Sequence, residues 1–169
     1  KETVLPGKNT TASLLFRFWY AKTQGSMAPK VSYAFFNEVY DGLLSGKNAQ
    51  GVVIHEKRFT WEKDRLGLLT DLGAFWEAET ESPIPLGCSV AKKTLGCATI
   101  AAVEAEIRRS LDLAYTRLEP VSEFIREKAQ IPDDAVILKH IRMFVTDFTR
   151  DMGKPGRKAL QILAEHVSL

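Results

Sequence analysis

Three residues have types and placements that suit chemistry: Thr10 and Thr11 in PGKNTTA, and His55 in GVVIHEKRF. Two hydroxyls at a helix start, beside backbone N–H groups without helical partners, suit a carboxylate or another oxygen-rich group. The same stretch also reads as a plain helix start, with Thr10 as the N-cap and Thr11 on the surface. A histidine beside an acid, His55-Glu56, can act as a general base near neutral pH. The competing reading is a histidine satisfied by a hydrogen bond to its own loop. PGKNTTA carries only Gly7-Lys8 of the phosphate-loop pattern, and Asn9 stands where the hydroxyl residue belongs, so nucleotide binding is set aside. The other histidines read as bystanders. His140 lies on an apolar-striped helix and His166 near a helix C-terminus, where a positive charge suits the dipole and a surface position is expected. The three are far apart without metal-ligand spacing, so no metal site is expected. Phe16, Phe18, Trp19 and Tyr20 read as core. Phe59, Trp61, Phe75 and Trp76 bracket the loop after His55 and either wall a pocket for a flat ring or cover the sheet. Lys57 and Arg58 read as solvated, with help in binding an acidic ligand as the lesser alternative.

The elements that must position these residues follow from periodicity and punctuation. Glu2–Leu5 predicts a strand, and Thr10 caps a helix carrying Leu14, Leu15, Phe18 and Trp19. Gly25–Lys30 is a loop. Val31–Phe35 is a second strand, Phe36–Ser45 a helix, and Gly51–Ile54 a third strand. Strand, helix, strand, helix, strand is the order of a parallel sheet with right-handed crossovers. Thr10, Thr11 and His55 would then all emerge at the carboxyl edge, where open α/β sheets bind ligands. Beyond a long loop over Glu56–Leu66, Leu68–Leu72 and Ser89–Ala91 are further strand candidates, with a short helix over Gly73–Thr80. From Thr99 the pattern is helical throughout: Ala101–Leu118, a helix with Pro120 in its first turn, one capped by Asp133 that runs to Phe148, and a last one from Pro155 after a stop at Gly153.

The bulk properties narrow the class. A chain of 169 residues, 45% apolar and 26% charged, is an ordinary globular composition for one domain or one and a half. A formal net charge of +2 suggests neither nucleic acid nor a membrane surface as partner. Cys88 and Cys97 lack metal spacing and read as free thiols in a reducing compartment. No apolar run approaches the ~18 residues that span a bilayer. There is no signal-peptide pattern, which points to the cytoplasm, and a start at Lys1 directly before a strand suggests that the natural N-terminus lies upstream.

Longer stretches carry a family resemblance. GVVIHEKRFTW, then LLTDLGAFWEAETESPIPLG, then HIRMFVTDFTRDMGKPGRKAL, together with PGKNTTASLLFRF near the start, are collinear and properly ordered. They resemble the 1,4-dihydroxy-6-naphthoate synthases of the futalosine route to menaquinone, from about Thr3 to Leu160. The chorismate dehydratases of the same pathway share the fold but typically lack the His-Glu-x-Arg-Phe-Thr motif. The resemblance implies an α/β chain forming a periplasmic-binding-protein-like type II lobe, with a mixed, mostly parallel sheet and a helical C-terminal segment. It implies that residues 1–98 are the ligand-binding lobe. Residues 99–169 would pack back on the sheet or on an N-terminal lobe that the family has and this chain lacks. It further implies cleavage of cyclic dehypoxanthine futalosine to 1,4-dihydroxy-6-naphthoate and dihydroxyacetone, with no metal or organic cofactor. His55 would be the base, and Thr10 and Thr11 would hold the small-molecule substrate. An Asn common in the late motif is Thr146 here. Apolar helix faces left uncovered would favour a homodimer. The rival of another class is a non-catalytic solute-binding protein for a small carboxylate, and within the fold the rival activity is chorismate dehydration.

Overall fold

The computed structural model describes residues 1–25 and 27–167. Ser26, in the loop expected over Gly25–Lys30, and Ser168 and Leu169, at the end of the segment 99–169, lie outside the described residues. Two compact units are formed, Lys1–Pro85 with Lys154–Leu169, and Leu86–Gly153. The division at 98/99 drawn from the sequence follows a change of composition and falls inside the second of these units.

In the first unit β1 (Thr3–Leu5) pairs in parallel with β2 (Val31–Tyr33), Val4 opposite Ser32. On its other side Val4 forms a parallel bridge with Gly51, and the Val52 N–H donates to the Val4 carbonyl at 3.0 Å. The strand is therefore central, as a run of three buried residues requires. The third strand expected over Gly51–Ile54 shrinks to that bridge, because the chain turns into a 3-10 helix at His55–Phe59. Gly51 sits there for want of room: a Cβ would lie 2.7 Å from Val39 Cγ1. All described pairs are parallel, so the mixed character expected of the sheet is not seen. Leu68–Leu72 and Ser89–Ala91 form no strand among the described residues.

α1 (Thr11–Gln24) follows β1, and α2 (Phe36–Leu44) follows β2. α2 packs on β1 and carries Val39 and Tyr40, both wholly buried. α3 (Leu72–Thr80) packs on α1, where Trp76 meets Leu15 and Phe18. The last helix, α8 (Gly153–His166), returns to this cluster through Ile162 and Leu163. Between α3 and α8 in the chain, α4 (Cys97–Thr116), α5 (Glu123–Lys128), α6 (Asp134–Phe144) and α7 (Asp147–Arg150) are the α-helices of the second unit. Trp76 is core, not the wall of a pocket.

The second unit is lightly packed. Its buried hydrophobic residues are Val121 and Ile137, and the twenty residues of α4 bury none. Forked ion pairs join its helices instead: Arg126 to Asp134 at 2.7 Å, and Arg150 to Asp112 at 2.8 and 3.0 Å. Hydrogen bonding by these guanidiniums holds the Asp134 and Asp112 carboxyls below their usual range. Several helix boundaries differ from those expected, α4 beginning at Cys97 and not at Ala101. α5 begins at Glu123 behind a Ser122 cap, after a cis Glu119–Pro120 bond, so Pro120 is not in its first turn. α6 ends at Phe144, and Phe148 lies on α7. Gly153 opens α8 with φ +54 instead of stopping its predecessor.

Candidate active site

The turn from β1 into α1 is built around one carbonyl. Gly7 O accepts the Thr10 hydroxyl at 3.0 Å and the Ser13 hydroxyl at 2.6 Å. Thr10 Oγ1 in turn accepts the Ser13 N–H at 3.2 Å, the N-cap bond that ordinarily satisfies a first-turn donor. Gly7 has φ +130, and a Cβ there would meet Thr10 Cγ2 at 3.0 Å, so only glycine fits comfortably. A hydroxyl has one proton, and that of Thr10 is engaged. Thr11 is different. Its hydroxyl makes no hydrogen bond among the described residues, and the first backbone N–H groups of a helix have no partner within it. Thr11 is half-buried at the positive end of a fourteen-residue helix. This end can receive an anionic or carbonyl oxygen.

His55 begins the 3-10 turn at φ +58, a left-handed conformation uncommon for any residue with a side chain. Its ring is exposed and packs edge-to-face against Phe36, centroids 4.8 Å apart. Neither ring nitrogen takes part in a hydrogen bond among the described residues, which leaves both available to exchange a proton. Phe36 is the first residue of α2, so the imidazole lies over the helix that follows β2. Next to His55, Glu56 is buried with 7% exposure. Arg58 pairs with Asp71 at 2.9 Å, and Asp71 itself caps α3 through the Gly73 and Ala74 N–H groups. Lys57 lies over the Tyr40 ring at 4.9 Å. Lys57 and Arg58, expected as solvated, thus brace the turn. The Tyr40 hydroxyl donates to Asp64 at 2.5 Å, and burial, with that carboxylate second, pushes the phenol above its usual range.

Thr10, Thr11 and His55 share the carboxyl edge of the sheet. Val4 opposite Gly51 sets the register, Thr10 lying six residues past Val4 and His55 four past Gly51 in chains that run the same way. No hydrogen bond joins the three. The other histidines are placed elsewhere. His140 stacks edge-on with Phe144 at 4.7 Å on α6. His166 is half-buried between Phe18 and Trp76, its Nδ1 2.8 Å from the Ile162 carbonyl, so the surface position expected for it is overturned. Sequence reasoning passed over Phe36, Ser13 and Tyr40. The spacing of Thr10 and Ser13 could have exposed the double bond to Gly7, but nothing local marks Phe36 as the support of His55.

Open α/β sheets bind ligands at their carboxyl edge, and here that edge carries a helix N-terminus and an imidazole without a hydrogen bond among the described residues. The chain belongs to the menaquinone biosynthesis family, whose model matches residues 1–168. It is 35% identical over 161 residues to the 1,4-dihydroxy-6-naphtoate synthase of Streptomyces coelicolor, covering 95% of this chain and 57% of that protein. It is 34% identical over 156 residues to the enzyme of that name from Thermus thermophilus, covering 92% of this chain and 55% of that one. The chain thus spans little more than half the length of these curated relatives. In fold it is similar to a crystallographically solved protein of Archaeoglobus fulgidus, with a TM-score of 0.86 at 23% identity over 99% of this chain and 61% of that one.

Proposed function

We propose that the complete protein is a 1,4-dihydroxy-6-naphthoate synthase, which splits cyclic dehypoxanthine futalosine into the naphthoate and dihydroxyacetone. His55 acts as the general base, and the α1 terminus, with Thr11 presenting its hydroxyl and Thr10 shaping the turn, holds the substrate. Proton abstraction followed by loss of a carbon fragment needs a base and donors for the developing oxyanion. The observation that carries the reading is that both kinds of group stand on one carboxyl edge, within stretches matched to relatives of that name. The reaction so read needs no cofactor or metal.

The complete protein, in this reading, has the two lobes of a type II periplasmic-binding-like fold. The coverage of the relatives, 57% and 55%, supports it, as do the exposed apolar residues Leu95, Val103, Ile107 and Leu113 in the second unit. Residues 99–169 then belong partly to the other lobe, and α8 to this one. Two exposed free thiols, Cys88 and Cys97, suit the cytoplasm. Association as a homodimer through the apolar faces is the alternative use of them. The test is turnover: the complete protein, given cyclic dehypoxanthine futalosine, should release the naphthoate, detected by mass. Binding of a small acid without product would favour the solute-binding protein, and turnover of chorismate the dehydratase.

A further inference from the structure

Both ends of the His55 turn rest on one face of α2. Phe36 and Tyr40 are one helical turn apart and therefore neighbours on that face. Phe36 bears the ring of His55, the first residue of the turn. Tyr40, wholly buried, donates its hydroxyl to Asp64 at 2.5 Å and lies 3.0 Å from the Oγ1 of Thr60, which ends the turn. The Thr60 N–H closes on the Lys57 carbonyl at 3.2 Å, and the Lys57 ammonium covers the Tyr40 ring. A side chain held at φ +58 persists only where its surroundings over-determine it. The half-exposed Arg58–Asp71 pair is a weak brace by comparison. We infer that Tyr40 is a positioning residue for His55, its hydroxyl clamping the far end of the turn so that the imidazole stays seated on Phe36 at the sheet edge.

The inference rests on the reading of His55 as the base, but the clamp can be observed apart from catalysis. Tyr40→Phe removes the hydroxyl and keeps the ring; Asp64→Asn keeps an acceptor for it. In the complete protein, carbon–proton correlation spectra of the histidine rings report the seat on Phe36 through its ring current. Tyr40→Phe should move the His55 ring signals towards unstructured positions while those of His140 and His166 stay. Its kcat should fall about 10–100-fold with KM little changed, as misplacement of a base predicts. Asp64→Asn should retain both the signals and most of the turnover. Unmoved His55 signals in a folded Tyr40→Phe protein would overturn the clamp, whatever the turnover. Moved signals with full turnover, beside an inactive His55→Ala, would overturn its catalytic relevance. Full turnover by His55→Ala would instead remove the base assignment, and the ring signals would still decide the clamp.

Discussion

Thr10 and Thr11 are neighbours with different hydrogen bonding. The Thr10 hydroxyl both donates and accepts inside the turn, through Gly7 O and the Ser13 N–H, so its removal is felt first as stability. Thr10→Ala should cost about 1 kcal/mol in denaturant titration; a neutral result would discard the cap. Thr11→Ala should stay within about 0.5 kcal/mol of the parent and weaken ligand binding, read by titration of the complete protein. Of the two readings that the letters of this stretch left open, the cap falls to Thr10, and the proposed ligand holding is left to Thr11. That division depends on which hydroxyl Gly7 O captures, a matter of backbone direction and not of residue type. His55 illustrates the same limit. Its type and place after a strand announced a site, but its support on Phe36 joins residues nineteen apart and only folding reveals it. At the residue scale a pH dependence also follows. Asp134 and Asp112 have carboxyls held low by Arg126 and Arg150, so their contribution is present above the unfolded value, about 4, and is lost as pH falls through the folded one. Acid unfolding of the second unit, followed by circular dichroism, should shift to higher pH in Arg126→Gln and Arg150→Gln; unchanged acid midpoints would show that the pairs contribute nothing.

Two helix starts were readable because capping is local. Thr10 and Asp133 cap as expected, Asp133 accepting from the Val136 N–H at 3.1 Å. Thr146, in place of the usual Asn, precedes α7 without a side-chain cap, its N–H donating to the Thr149 hydroxyl at 3.1 Å. Ends and edges were less readable. Val52-Val53-Ile54 has strand composition, but its pairing with β1 stops at the Gly51 bridge and the Val52 N–H before the left-handed turn at His55, and strand pairing is decided by a partner remote in sequence. Pro120 suits a first turn by composition, yet Ser122 supplies the cap and the helix waits for it. The sheet's contact with α2 is close enough to test. Gly51→Ala pushes a methyl to 2.7 Å from Val39 Cγ1, with the Val4 carbonyl at 3.4 Å, and should destabilise by about 1–3 kcal/mol. Trp76→Ala, which empties the junction of α1 and α3, should cost about 3–5 kcal/mol. Values near zero in thermal or chemical unfolding would contradict these packings.

The molecule as a whole divides its labour by burial. The first unit buries a sheet and the Leu15, Phe18 and Trp76 cluster, and it carries the candidate site; the second relies on exposed ion pairs around two buried residues. The helical run from Thr99 was plain in the sequence, and so was the excess of apolar surface it would present. That α8 leaves the run and returns to Trp76 was not: its Ile162 and Leu163 pack there while Leu160 and Val167 are exposed. Family membership and the shared sheet edge together make His55 the residue on which the account depends. The decisive measurement compares the complete protein with its His55→Ala variant, following turnover of cyclic dehypoxanthine futalosine by mass and ligand binding by calorimetry. Loss of turnover by about 100-fold or more, with binding still measurable, is the predicted result. Turnover at the parent rate in the variant would contradict the account.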